Sequence, residues 1–173
     1  HRAEEVAAWI EGYTKLTRRR TPELLSPETF SLVNYREAER VLTEWGDLVA
    51  RARKVDTALP EEARAAFMQL VQHPIEACAN LNEMLVAAAR NRLHGAQGRA
   101  SAKAEGERVR ALFAQDAELM RRWDAMLDGK WRHMMDQVHI GYTIWQQPVA
   151  NVMAAVTEVQ AVAGGGLWVG VGG

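Results

Sequence analysis

Apolar residues three and four positions apart run almost unbroken through Ala38, Val41, Leu42, Trp45, Leu48, Val49, Ala52, Val55 and Leu59. That spacing puts them on one face of an α-helix and on no single face of a strand. Two further stripes share the period. One runs through Ala66, Phe67, Leu70, Val71, Ile75, Cys78, Leu81, Leu85 and Ala88, the other through Val109, Leu112, Phe113, Leu119, Met120, Trp123, Met126 and Leu127. A helix with one apolar face must bury it against another element. The expected fold class is therefore all-α, an antiparallel bundle of four to five helices.

The boundaries follow from turn and cap chemistry. A first helix spans about Arg2 to Thr17, with Val6, Trp9, Ile10, Tyr13 and Leu16 on its apolar face. Glu4 and Glu5 near its start and Lys15 with Arg18, Arg19 and Arg20 near its end suit the helix dipole. A connector from Pro22 to Ser31 follows. The second helix runs from about Asn34 to Ala58, with Asn34 as cap and Glu37 completing a capping box. Pro60 opens a third, in which Pro74 is expected to bend the axis near Gln72 and His73 before the helix continues to Gly95. A fourth runs from Ser101 or Ala102 to Asp128, where Gly129 suits the left-handed end position. A shorter helix is expected from Trp131 to His139, then an extended piece through Pro148. The stretch from Val152 to Val162 reads equally as loop or strand. Beyond Gly164, Leu167, Val169 and Val171 alternate with Trp168, Gly170 and Gly172, the period of a strand. One strand cannot bury itself, so the tail reads as the start of a truncated β domain. The expected division is a helical bundle over 1–160 and a following domain or linker over 161–173.

At 173 residues the chain suits one domain with a core. Its formal net charge of −1 gives no general attraction to nucleic acid or to an anionic membrane surface. No apolar run approaches the roughly 20 residues that span a bilayer. Cys78 is the one cysteine, lies on an apolar face and reads as a small core residue. The chain begins at His1 without Met or signal sequence, which reads as a segment of something longer.

One stretch departs from the Ala-, Leu-, Arg- and Glu-rich pattern. Between Trp131 and Asn151, WRHMMDQVHIGYTIWQQPVAN, histidines, aromatic rings, glutamines and an aspartate crowd together. Helix packing needs no such mixture, and Gln146-Gln147 before Pro148 leaves helical geometry. Trp145 beside these glutamines reads as a sugar-stacking platform or as an anchor to the bundle. His139 and Tyr142 carry the same two readings, since each has a flat apolar body and a polar tip. The third helix carries Gln69, Gln72, His73, Glu76, Asn80 and Glu83 as a polar stripe whose amides and imidazole differ from an ordinary solvated face. It reads as solvated or as a buried or interface feature. A bundle di-metal site needs Glu-x-x-His on two helices, and none occurs. Asp136-x-x-His139 is the nearest approach and is insufficient, so no metal is expected. Asp124, Asp128 and Asp136 are carboxylates that nothing in the sequence pairs. No nucleophile elbow or phosphate loop is present.

The runs HMMDQVHIGYTIWQQPVANVM, NYREAERVLTEWGDLVARA and QLVQHPIEACANLNEMLVAAARNRL resemble the helical region of glycoside hydrolase family 115, the xylan α-1,2-glucuronidases, over about Arg2 to Gln160. Val138, Ile144 and Ala154 depart from the family pattern. The resemblance implies an accessory bundle that follows a catalytic (β/α)8 barrel and precedes a β-sandwich. It implies a parent enzyme that removes glucuronic or 4-O-methyl-glucuronic acid from glucuronoxylan by inversion, secreted or periplasmic, without cofactor. Catalytic residues would lie in the barrel, so none is assigned here. It further implies a homodimer to which the bundle contributes. His73, Asn80, Asp136, His139, Tyr142, Trp145, Gln146 and Gln147 then become candidates for lining a cleft or interface. The competing expectation is a free-standing helical module that binds a protein partner through the polar stripe and the Trp145 region.

Overall fold

The computed structural model describes residues 2–143 and 146–159. Its regular structure is helical, with no strand among the described residues, so the all-α bundle stands. The helices are α1 (Arg2–Thr17), α2 (Glu37–Asp56), α3 (Glu61–Phe67), α4 (His73–Ala96) and α5 (Ser101–Asp124). Cross-helix contacts give their directions. Arg19 reaches Glu44 while Gly12 lies against Leu48, so α1 and α2 are antiparallel. Arg53 reaches Glu76 and Arg90 reaches Glu39, which sets α2 against α4. Asn91 bonds Ala102, Asn80 bonds Leu112 and Arg122 bonds Glu76, which sets α4 against α5. The α4–α5 contact is the most extensive in the molecule.

Two apolar clusters divide the core. Trp9, Leu16, Val41, Trp45, Leu48, Phe67, Val71, Ile75 and Cys78 join α1, α2 and the start of α4. Edge-on contacts between Trp9 and Phe67 and between Tyr13 and Trp45 order this end. Leu81, Met84, Ala87, Ala88, Val109, Leu112 and Ile140 form the second cluster, between α4, α5 and the segment that follows. Ile10 and Leu70, assigned to apolar faces by spacing, are instead exposed.

Leu70 is displaced for a physical reason. Pro74 has no N–H to give the Leu70 carbonyl, and its ring would press on that carbonyl in a regular helix. At the place of the expected bend stands a five-residue π-helical stretch, Met68–Gln72, in which the His73 N–H reaches back to the Met68 carbonyl, and the helix does not stop there. This inserted register turns Leu70 outward and Gln72 and His73 inward. Helical residues thereby follow one another without a break from Glu61 to Ala96.

Three other expectations change. The capping box at Asn34 does not form. Tyr35 and Arg36 take left-handed conformations, α2 starts at Glu37, and the Glu37 carboxylate accepts the Ser31 N–H at 2.8 Å. The last long helix stops at Asp124, because Leu127 and Asp128 are left-handed ahead of Gly129. No helix forms over Trp131–His139; the chain makes turns there, with His133 at a φ of 68°. Val152–Val159 forms neither helix nor strand. The alternating tail, with its expected strand, lies outside the described residues.

Candidate functional site: the polar seam and its strap

The face that α4 turns toward α5 is polar where a bundle is ordinarily apolar. Gln72, His73, Glu76 and Asn80 are all buried, and α5 contributes Asp116 and Trp123. Asp116 sits three and four residues from Leu119 and Leu112, so it occupies a core position of the apolar stripe. A buried carboxylate or amide is favoured only with partners; the carboxylates and the amide N–H groups have them, while Gln72 Oε1, His73 Nδ1, Asn80 Oδ1 and Trp123 Nε1 have none among the described residues. The Glu76 carboxylate takes Arg53 at 2.7 Å, Arg122 and the Gln72 amide at 3.2 Å. Burial pushes the Glu76 carboxyl up, but Arg122, Arg53 and Gln72 outweigh it and hold it below the usual range. Asn80 donates to the Leu112 carbonyl at 3.0 Å. The His73 ring lies 4.8 Å from that of Trp123. Burial first, then Arg122 and His139, hold His73 below the ordinary imidazole value despite Glu76 and Asp116.

Asp116 finds its partner outside the helices. His139 Nε2 donates to both carboxylate oxygens, at 3.0 and 2.9 Å, while Nδ1 stands 2.9 Å from the Gln137 carbonyl. The bond to Asp116 is the main cause that raises His139 above the ordinary value, against burial. His139 lies near the start of a strap, residues 138–143 and 146–159, that lies along α4 and α5. Next to it Ile140 is buried in the second apolar cluster. The amides of His139 and Ile140 both donate to Asn151 Oδ1, at 2.9 and 3.0 Å, and the Val152 N–H to the Ile140 carbonyl at 3.1 Å. This loop closure needs Gly141, whose φ of 96° favours glycine and whose Cβ would stand 2.7 Å from that of Val152.

The far end of the strap is held by Asn91, which is fully buried. Its amide donates to the Ala102 carbonyl at 2.8 Å and the Thr157 carbonyl at 3.1 Å, and its oxygen accepts the Thr157 N–H at 2.7 Å. Gly106 makes room, since a Cβ there would come within 2.7 Å of Val156 Cγ1. Arg110 and Glu158 form an ion pair beside it.

The structure thus brings His73 and Asn80 to the seam and His139 across it, resolving the polar stripe as a buried feature at Gln72, His73, Glu76 and Asn80. Gln69 and Glu83 remain partly exposed at its margins. Tyr142 stays local, its hydroxyl 3.4 Å from the Val138 carbonyl. Gln146 and Gln147 are exposed and away from the seam's bonds; Trp145 lies outside the described residues. Asp136 is exposed and bonded to His133 at 2.8 Å. With Asp124 these two place one imidazole and two carboxylates within 4.8 Å, a donor set that suits a divalent cation. Their mutual bonds, including the His133 N–H to Asp124 at 3.0 Å, already account for the arrangement. Asp128, left-handed in the turn, is not part of it. The Arg18–Arg20 run serves the fold: Arg19 pairs with Glu44 at 2.6 Å and Arg20 donates to the Leu24 carbonyl at 3.1 Å. No helix is long and apolar enough to cross a membrane among the described residues.

Sequence reasoning missed Asp116, Asn91, Arg122 and Asn151. Two of these carried a signal. Asp116 and Asn91 each stand where the helical spacing calls for an apolar residue, Asn91 following Met84, Ala87 and Ala88 at steps of seven, four and three. No protein-family model matches the chain, and no curated protein matches it.

Proposed function

We propose that this bundle is the accessory, non-catalytic domain of a family 115 xylan α-1,2-glucuronidase. In that role it supports the barrel that removes glucuronic or 4-O-methyl-glucuronic acid from xylan, and contributes to a subunit contact and to the rim of the sugar cleft. The observation that carries the reading is a set of exposed large apolar side chains in the stretch whose sequence resembles that family. His139 and Asn151 turn their polar atoms onto the bundle and its own backbone. Met134, Met135, Val149 and Val152 meanwhile expose 64, 39, 105 and 56% of their surface. A segment fastened to the bundle through His139, Ile140 and Asn151 that still exposes four large apolar side chains suits a layer pressed between the bundle and another folded surface, because solvent alone gives apolar side chains no reason to be there. Val33 and Tyr35, exposed in the loop before α2, extend the same pattern.

The free-standing module needs the polar stripe at the surface, and its central residues are buried between helices. The test compares glucuronic acid release from aldouronic oligosaccharides by this chain and by a protein extended N-terminally through the barrel. Release by the longer protein alone is the expected result, with a loss when Met134 and Val149 are changed to Asp in it. Turnover by this chain would overturn the reading. So would a longer protein with no activity.

A further inference from the structure

We propose that the strap is a proton-controlled latch, in which the imidazolium of His139 holds residues 138–143 on α5 and its deprotonation releases that end while the Asn91–Thr157 end stays fastened. The geometry is that of a doubly protonated ring. Both nitrogens stand within 3.0 Å of groups that can only accept, Asp116 on α5 and the Gln137 carbonyl on the strap. A neutral imidazole has one N–H, so one of the two contacts would then set a ring lone pair against an oxygen. Deprotonation breaks one N–H bond, passes that proton to solvent, and also removes the charge that was neutralising the nearly buried Asp116.

The groups facing His139 from each packed element are consistent with such a latch. Asp116 is the one from α5, with Arg122 further along the same helix, paired to Glu76. From α4 the facing group is His73, whose imidazole is held below its ordinary value first by burial and then by Arg122. The strap contributes the Gln137 carbonyl. At the other end the bonds between Asn91 and the Thr157 backbone involve no ionisable group, and the charged groups beside them are the paired Arg110 of α5 and Glu158 of the strap. The strap therefore hinges open and does not detach. Ile140, adjacent to the latch, leaves the second cluster as it opens, which exposes apolar side chains of that cluster.

The direction follows from linkage. His139 is held above the ordinary imidazole value of 6.5, so the latch is fully closed below that value and weakens as pH rises through the folded one. The experiment is amide hydrogen exchange on the whole chain from pH 6 to pH 9, corrected for intrinsic rates, with an NMR titration of the His139 ring. Protection at Ile140 and Val152 is expected to fall by up to about tenfold per pH unit in that window, while Thr157 keeps its protection. Asp116→Asn should bring the His139 titration down toward the ordinary value and remove the pH dependence above it. His139→Arg, charged throughout, should keep Ile140 protected at pH 9. A His139 that titrates at or below its ordinary value in the unaltered protein would overturn the proposal. PH-independent protection at Ile140, or equal loss at Thr157, would do the same, and neither readout depends on a variant folding.

Discussion

Asn91→Ala is the substitution that most directly tests how the strap is held. Asn91 is fully buried and makes three hydrogen bonds, one joining α4 to α5 and two joining α4 to Thr157. Each such bond contributes about 1 kcal/mol net. Ala removes all three and leaves a small cavity beside Gly106, though the exposed position of Thr157 lets its freed groups return to water. The expected loss is about 3 kcal/mol, which for a chain of this length lowers Tm by about 6–12 °C. Urea denaturation followed by helical circular dichroism gives the total, and amide exchange at Thr157 gives the strap's share. Asn91→Asp sharpens the test. It keeps an acceptor for the Thr157 N–H but sets a carboxylate oxygen against the Ala102 and Thr157 carbonyls, so it should be no better than Ala. A loss under about 1 kcal/mol for Ala, or unchanged protection at Thr157, would refute the account of Asn91 as the clamp.

Gly106→Ala gains helix propensity of up to about 1 kcal/mol, yet its Cβ would lie 2.7 Å from Val156 Cγ1 and 3.2 Å from the Asn91 amide. A net destabilisation of about 1–2 kcal/mol is expected, with Val156 more exchangeable; a stabilised protein would show that the strap yields at no cost. Glu76→Ala leaves Arg53 and Arg122 unmatched, but their side chains are 59 and 41% exposed, so the loss is about 1–3 kcal/mol and not the full cost of a stranded buried charge. Because the Glu76 carboxyl is held below its ordinary value of 4.5, its contribution is present above that pH and disappears as pH falls through the folded value. Acid unfolding monitored by Trp fluorescence should therefore be shallower in Glu76→Ala than in the unaltered chain.

The helices were legible because their signal is redundant. Many apolar residues repeat the same period, and local exceptions do not erase it. What escaped was decided by single atoms. Pro74 announced a disturbance in the third helix, but whether a missing N–H is met by a kink or a π-helical turn depends on which neighbours fill the space. The capping box at Asn34 failed because Glu37 found the Ser31 N–H from within the loop, a competition between two good acceptors' arrangements that local propensity cannot rank. The turns after Asp124 contain three consecutive left-handed residues, two of them non-glycine, and the sequence offered only Gly129 as a hint. At the seam, His73 and Asn80 were visible as unusual members of a helix face. Asp116 was hidden by its ordinary surroundings of Ala, Gln and Glu, although its place in the stripe marked it.

The seam and the strap depend on each other in a way that neither shows alone. A carboxylate at the core position of Asp116 is unfavourable in a two-helix contact, because α4 offers it no cation at hydrogen-bonding distance; the cation it meets is His139. The strap, residues 138–143 and 146–159, has in turn little regular backbone pairing of its own: among the described residues it is held by the Val152-to-Ile140 bond and the side chains of Asn151 and Asn91. The helix pair supplies a fixed acceptor, and the strap supplies the charge that makes that acceptor tolerable. The same exchange recurs at Asn91, whose buried amide is satisfied by α5 and the strap together. Removing the strap would leave two polar residues at core positions partly unsatisfied, so α4 and α5 are matched to a three-component contact and not to each other. Polar residues at apolar positions of an otherwise regular stripe thus mark where a non-helical segment must lie across a bundle.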